Sequence, residues 1–178
     1  VLMGYLNPIE RMGYELFAKS ANNAGVDAIL TVDLPHEEAK EVIDIFKKHD
    51  LESIFLIAPN TKIDRIREIS KYASGFLYYV SLKGVTGAAT LDIDKTLEQL
   101  RFIKDAIELP LAVGFGIKDA STAKILSKNA DAIVIGSAIV NIIEKEQDNK
   151  VKINKDIINL MNPIRLKLDE DIASGDMK

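Results

Sequence analysis

Short aliphatic or β-branched runs alternate along this chain with stretches whose apolar residues recur at helical spacing, the pattern of repeated βα units. Strand-like runs fall at residues 1–6, 28–32, 54–57, 76–81, 111–115 and 132–135. After the first run, Asn7-Pro8-Ile9-Glu10 reads as an N-cap, a first-turn proline and a capping-box acid. Ile9, Met12, Leu16 and Phe17 then mark one helical face, which Gly25 ends. The same logic returns with Ala39, Val42, Ile43 and Phe46 after Pro35, and with Ile63, Ile66, Ile69 and Ala73 after the third run. Leu97, Leu100 and Ile103 predict another helix, and Asp119 is placed to cap the one that holds Ala123, Ile125 and Leu126.

Runs that are continuously apolar, such as Ala132-Ile-Val-Ile135, predict a parallel sheet covered on both faces. An open doubly wound sheet and a closed eight-stranded barrel share this local pattern, and six runs by themselves favour the open sheet. Beyond Glu144 the pattern changes. Gln147-Asp-Asn-Lys150 reads as a polar turn, residues 153–168 as a terminal helix interrupted at Pro163, and residues 169–178 as a frayed tail. One domain over residues 1–168 is expected from 178 residues.

Composition removes several classes of function. With 23 basic and 27 acidic residues the net charge is −4, so no basic excess points to nucleic acid and no polybasic block points to a membrane surface. Without cysteine there is no disulfide framework, thiolate zinc site or cysteine nucleophile, and the cytoplasm is the expected compartment. Asn7, Pro8, Glu10 and Arg11 cut the initial apolar run far short of the roughly 20 residues a span requires. Because the chain opens on Val1 and not on Met, it reads as a processed protein or a fragment, its first run being a strand and not a leader.

Glycines follow three successive strand runs, at Gly84-Val-Thr-Gly87, Gly114-Phe-Gly116 and Gly136-Ser137. In α/β proteins the loops at the carboxyl ends of strands build the site, and in barrels the last two strands share a phosphate site with the amino end of a short helix. Gly116 and Gly136-Ser137 fit that placement, since glycine lets backbone N–H groups approach an anion and a helical turn beginning at Ser137 offers its dipole. Each glycine alone reads equally as a turn residue. The connection from Leu82 to Leu91 is either a mobile lid or a surface loop. Tyr78 and Phe115 at strand ends serve as core filling or as substrate contacts. His36, among Glu37 and Glu38, and His49, after Lys47-Lys48, read as solvated surface residues. Asp33, in Asp33-Leu-Pro35, is either functional or a loop-ordering cap. No metal-ligand spacing occurs.

The stretches Asp33-Leu-Pro35, Ala58-Pro-Asn60, Tyr78-Tyr-Val-Ser-Leu-Lys-Gly-Val-Thr-Gly87, Gly114-Phe-Gly-Ile117 and Gly136-Ser-Ala-Ile-Val140 resemble, in order and spacing, those of tryptophan synthase α subunits. The resemblance runs from Val1 to about Lys145, and Gly84-Val-Thr-Gly87 is its most specific part. It implies a (β/α)₈ TIM barrel of which the runs here are the third to eighth strands. It implies a carbon-carbon lyase of tryptophan biosynthesis that cleaves indole-3-glycerol phosphate to indole and glyceraldehyde 3-phosphate by a retro-aldol reaction, without metal, Schiff base or other cofactor. The partner implied is the β subunit, in an α₂β₂ heterotetramer. By the same resemblance Gly87, Gly116, Gly136 and Ser137 hold the substrate phosphate. Leu2, Leu56, Tyr78, Phe115 and Val134 line the indole pocket, Thr86 belongs to the lid, and Asp33 and Pro35 lie at the β-subunit contact. The family's acid/base glutamate and indole-orienting aspartate fall before the position of Val1, so no residue here is assigned a catalytic role, and the chain alone is expected to be inactive. Ser81-Leu82-Lys83 departs from the family's common arginine after the serine. Competing readings are another phosphate-binding barrel, of histidine or thiamine biosynthesis, and a noncatalytic module docking on a β subunit.

Overall fold

The computed structural model describes residues 1–80, 93–114 and 116–174. The chain divides into two compact units, Val1–Val80 with Phe102–Leu111 and Ser81–Arg101 with Ala112–Lys178.

The first unit contains β1 (Leu2–Gly4), α1 (Leu6–Met12), α2 (Tyr14–Asn23), β2 (Ala28–Thr31), α3 (Lys40–Lys48), β3 (Glu52–Ile57), α4 (Ile63–Tyr72) and β4 (Leu77–Val80). The four strands pair in parallel and in chain order. Ladder partners project to the same side, and successive residues to opposite sides. Met3, Leu30 and Ile54 therefore share one side, and Leu56 and Tyr78 continue it. On this side Ala28, Leu30 and Ile54 are buried, with Leu56, Phe76 and Tyr78 packed against them. On the other side Ile29, Ser53 and Phe55 meet Ile43 and Phe46 of α3 around a cavity of about 10 Å³.

Helix α3 forms where Val42, Ile43 and Phe46 recur at helical spacing, and Lys47 and Lys48 stand in its last turn, where cations suit the dipole. Phe46 is 2% exposed, and its ring lies 6.1 Å from that of Phe17. Burial of a side chain of that size contributes about 1.5–3 kcal/mol.

The single helix expected after the first strand is two. Gly13 adopts a φ of 89°, a conformation costly for any residue with a Cβ, and separates α1 from α2. Met12 and Leu16 are consequently exposed, and only Ile9 of the expected face is buried before Ala18. Asn7 is not the N-cap either. Tyr5 holds that position without a side-chain bond, and the Leu6 N–H donates instead to Asp33 Oδ1, at 2.7 Å.

The second unit carries β5 (Leu111–Gly114) from Ala112 onward, paired with β6 (Ala132–Val134), and α6 (Ala120–Ser127), α7 (Ser137–Lys145) and α8 (Lys150–Ser174). Helix α5 (Ile93–Lys104) spans the division in sequence. Asp119 caps α6 as expected, accepting from the Thr122 N–H at 2.8 Å and from its hydroxyl at 2.9 Å. Its carboxyl is held below the usual carboxylate range, first by the Thr122 backbone N–H and then by the hydroxyl. Ala123 and Leu126 are fully buried. Asn129 ties this layer together by donating to the Leu97 carbonyl at 3.2 Å.

Helix α8 differs from expectation at both ends. Asn149 Oδ1 accepts from the Lys152 N–H at 3.0 Å, an N-cap that starts the helix at Lys150. Pro163 lies inside it, removing one intrahelical bond without ending it. The Arg165–Asp169 and Lys167–Glu170 ion pairs, at i,i+4 and i,i+3, carry the helix past Leu168. Helix α7 is unlike its neighbours: Ile139, Val140, Ile142 and Ile143 lie on it, yet none of its residues is fully buried.

Candidate functional site

The site is built on β5 and β6. Ala112 pairs with Ala132, Val113 with Ile133 and Gly114 with Val134, so the two strands end level. Gly116 and Gly136 are each the second residue after those ends, and the parallel register brings them out at the same edge of the pair. Gly116 has a φ of 58°, in the left-handed region that favours glycine. Gly136 is the N-cap of α7. A Cβ at either position would meet no heavy atom within 4 Å.

The Ile139 and Val140 N–H groups both donate to the Gly136 carbonyl, at 2.9 and 3.0 Å. The N–H groups of Ser137 and Ala138 precede these first intrahelical bonds, and no acidic residue occupies the first turn. A helix end of this kind presents donors and the positive end of its dipole to an anion.

In the first unit Leu56 and Tyr78 are ladder partners, both half-buried. Burial pushes the Tyr78 hydroxyl above its ordinary pKa. Val134 is half-buried at the end of β6 in the second unit. Leu2 does not join Leu56 and Tyr78: its ladder partner is Ile29, which places it on the opposite side, where it is 45% exposed. Met3 is the residue of β1 on their side. The run Val1-Leu2-Met3 is apolar throughout, so it carries no alternation from which to read the phase. Gly87, Thr86 and Phe115 lie outside the described residues, as do Gly84 and Ser81-Leu82-Lys83.

Asp33 is exposed, and its carboxylate is engaged internally, at Leu6. Pro35 is exposed. His36 departs from expectation: it is 8% exposed, its ring centroid lies 5.8 Å from that of Tyr72, and its Nδ1 lies 3.0 Å from Glu37 Oε2. The Glu37 carboxylate also meets Arg65 at 2.9 Å. The Glu37 carboxyl is held below its usual range by its own backbone N–H first, with Arg65 and His36 adding to that. His49 follows α3, with Nε2 2.8 Å from Glu15 Oε2, and this contact depresses the Glu15 carboxyl. Its side chain is partly covered, not freely solvated. Among the described residues no three His, Asp or Glu side chains group as a metal site, and no helix is long and apolar enough to cross a membrane.

Successive parallel βα units in a six-stranded sheet, alike in structure to tryptophan synthase α subunits, place the chain in the (β/α)₈-barrel class as an incomplete barrel. Residues 1–167 match the family described as tryptophan synthase alpha chain. The chain belongs to the tryptophan synthase alpha chain family. It is 58% identical over 149 residues to the tryptophan synthase alpha chain of Thioalkalivibrio sulfidiphilus, covering 83% of this chain and 56% of that one. The crystal structure of tryptophan synthase subunit alpha from Legionella pneumophila superposes with a TM-score of 0.83 at 40% identity, covering 95% of this chain and 62% of that one. A structure of the α₂β₂ complex from Pyrococcus furiosus matches with a TM-score of 0.78 at 32% identity, covering 92% of this chain and 63% of that one. The chain thus spans a little over half to just under two thirds of the length of these relatives.

Proposed function

We propose that these residues supply the phosphate site and much of the indole-facing surface of a tryptophan synthase α chain, a carbon-carbon lyase acting on indole-3-glycerol phosphate. The observation that supports this reading is the level ending of β5 and β6, each followed at its second residue by a glycine, Gly116 or Gly136, the latter capping α7. Two or more N–H donors at a helix end hold a phosphate dianion without a lysine. Gly87 and Ser137 complete the phosphate set on this reading, and Thr86 belongs to the lid that the resemblance implies. On the first unit Met3, Leu56 and Tyr78 supply apolar surface for the indole.

In the reaction the bond between indole C3 and the glycerol carbon breaks. The glycerol hydroxyl loses its proton as the aldehyde forms, the bonding electrons pass to the indole, and C3 receives a proton. The acid/base groups for these transfers are the family glutamate and aspartate, whose positions fall outside residues 1–178. The residues named above bind and orient the substrate on this reading, while general acid/base catalysis contributes a factor of roughly 10²–10⁴. No cofactor takes part. A β chain is the proposed partner, and the cytoplasm, where the phosphate ester is soluble, the proposed location.

The test is binding without turnover. The chain has five tyrosines and no tryptophan, so the indole emission of indolepropanol phosphate reports on the ligand alone. A rise in its anisotropy on titration, reversed by inorganic phosphate and unaccompanied by indole release from the true substrate, is the expected result. If indolepropanol phosphate binds no better than propanol phosphate, the indole surface is misassigned.

A further inference from the structure

We propose that the cavity between β2, β3 and α3 in the first unit is a binding site for a single water molecule, held between the hydroxyls of Ser53 and Thr31. The site belongs to the fold of that unit and does not depend on the α-chain reading above.

Ile29 and Phe55 of the sheet and Ile43 and Phe46 of α3 give the cavity apolar walls. Among the described residues that line it, Thr31 and Ser53 alone carry polar side chains. The ladder pairs Ile29 with Ser53, and Thr31, two residues further along β2, projects to the same side. Both are buried, Ser53 at 5% exposure and Thr31 at 7%. The backbone of Ser53 is engaged: its N–H donates to the Ser74 hydroxyl at 2.9 Å, and its carbonyl accepts from the Ser74 N–H at 2.8 Å. The Ser53 hydroxyl, in contrast, is buried without a hydrogen-bond partner in the protein.

A buried hydroxyl left unpaired is costly, and buried polar atoms are almost always bonded to protein or to ordered water. A cavity holds a water when it offers about 10–15 Å³ and at least two polar partners. This one measures about 10 Å³ and is bordered by two hydroxyls, each able to donate and to accept. Strand rise and strand spacing together put Cα atoms that lie diagonally across a parallel ladder roughly 8 Å apart. No direct bond joins the two hydroxyls across that diagonal, and one water between them serves both. The volume leaves no room for a second water or an organic ligand. Bound there, the water ties β2 to β3 in the layer on which α3 packs.

The test uses the whole chain and its Ser53→Ala and Thr31→Val variants. Oxygen-17 relaxation dispersion counts waters held longer than the tumbling time, free of interference from exchanging hydroxyl protons. The count should fall by one in Ser53→Ala, and by the same one in Thr31→Val, which keeps the shape of the side chain. Urea unfolding adds a readout with a sign. A hydroxyl bonded through water loses that bond on truncation, so the unfolding equilibrium constant of Ser53→Ala should rise roughly fivefold. A hydroxyl without any partner gives the opposite sign, since its removal relieves the desolvation it suffers. The double variant should show less than the product of the two separate effects, because both hydroxyls share one water. An unchanged water count in Ser53→Ala, or a fall in its unfolding constant, overturns the site. A water lost from Ser53→Ala but kept in Thr31→Val overturns the bridge. If Ser53→Ala does not fold, Thr31→Val decides by the same count: one water fewer supports the site, and no change overturns it.

Discussion

Replacing Gly136 by leucine separates phosphate binding from folding. Gly136 caps α7 with a φ of −110°, which L-residues adopt without strain, and its Cβ would meet nothing within 4 Å. The cost to the fold is therefore small. Leucine is a poorer N-cap than glycine by up to about 1 kcal/mol, and the lost backbone freedom of the unfolded chain returns roughly 0.4–1 kcal/mol. Binding is affected differently, because the side chain enters the open space through which an anion reaches the Ser137 and Ala138 N–H groups. Hydrogen bonds to a charged acceptor contribute about 1.5–3 kcal/mol each. Losing two corresponds to at least ~3 kcal/mol, or roughly a hundredfold in Kd. The assay is an NMR titration with inorganic phosphate in chloride buffer, following those two amides, alongside urea unfolding. Gly136→Ala should fall between the native chain and the leucine variant. Native affinity in a folded Gly136→Leu chain would refute the assignment, as would phosphate shifts in the native chain confined to Lys47, Lys48 and His49.

Met3→Ala should weaken indolepropanol phosphate by several-fold while Leu2→Ala leaves it unchanged, since a buried methylene is worth about 0.8 kcal/mol and only Met3 shares the side of Leu56 and Tyr78; equal effects in the anisotropy titration would contradict the register. Asp119→Ala should cost about 1 kcal/mol in urea unfolding. The Asp119 carboxyl lies below its ordinary value when folded, so its stabilisation is complete above about pH 4 and fades as the pH falls through the lowered value. The alanine variant should lose that part of the acid dependence, and an identical acid profile in both proteins would show that the cap contributes nothing.

The βα alternation is legible because short continuous apolar runs alternate with stretches whose apolar residues recur at helical spacing, and the Asp119 cap because a carboxylate precedes such a stretch directly. Gly13 escaped notice for a complementary reason. Apolar spacing passes through it unbroken, and only the backbone angle divides the helix. His36 stands beside Glu37 and Glu38, which local composition reads as solvent, although the turn alternates Leu34 and His36 inward. Of the candidate site, the glycines could be seen singly. That the strands preceding Gly116 and Gly136 end level depends on a ladder register between strands, which no local pattern encodes. Register likewise decides that Leu2 shares the side of Ile29 and Met3 that of Leu30, which an unbroken apolar run cannot tell.

Helix α7 has apolar residues in plenty and no fully buried one, so packing gives it less than it gives α3 or α6. An anion seated at its amino end would add a term that grows with the logarithm of ligand concentration, about 2.7 kcal/mol at a hundred times Kd. The order of this helix would then depend on the concentration of that anion. A scarcity of such an anion would then be felt first as fraying of α7, well before any loss of β5 and β6.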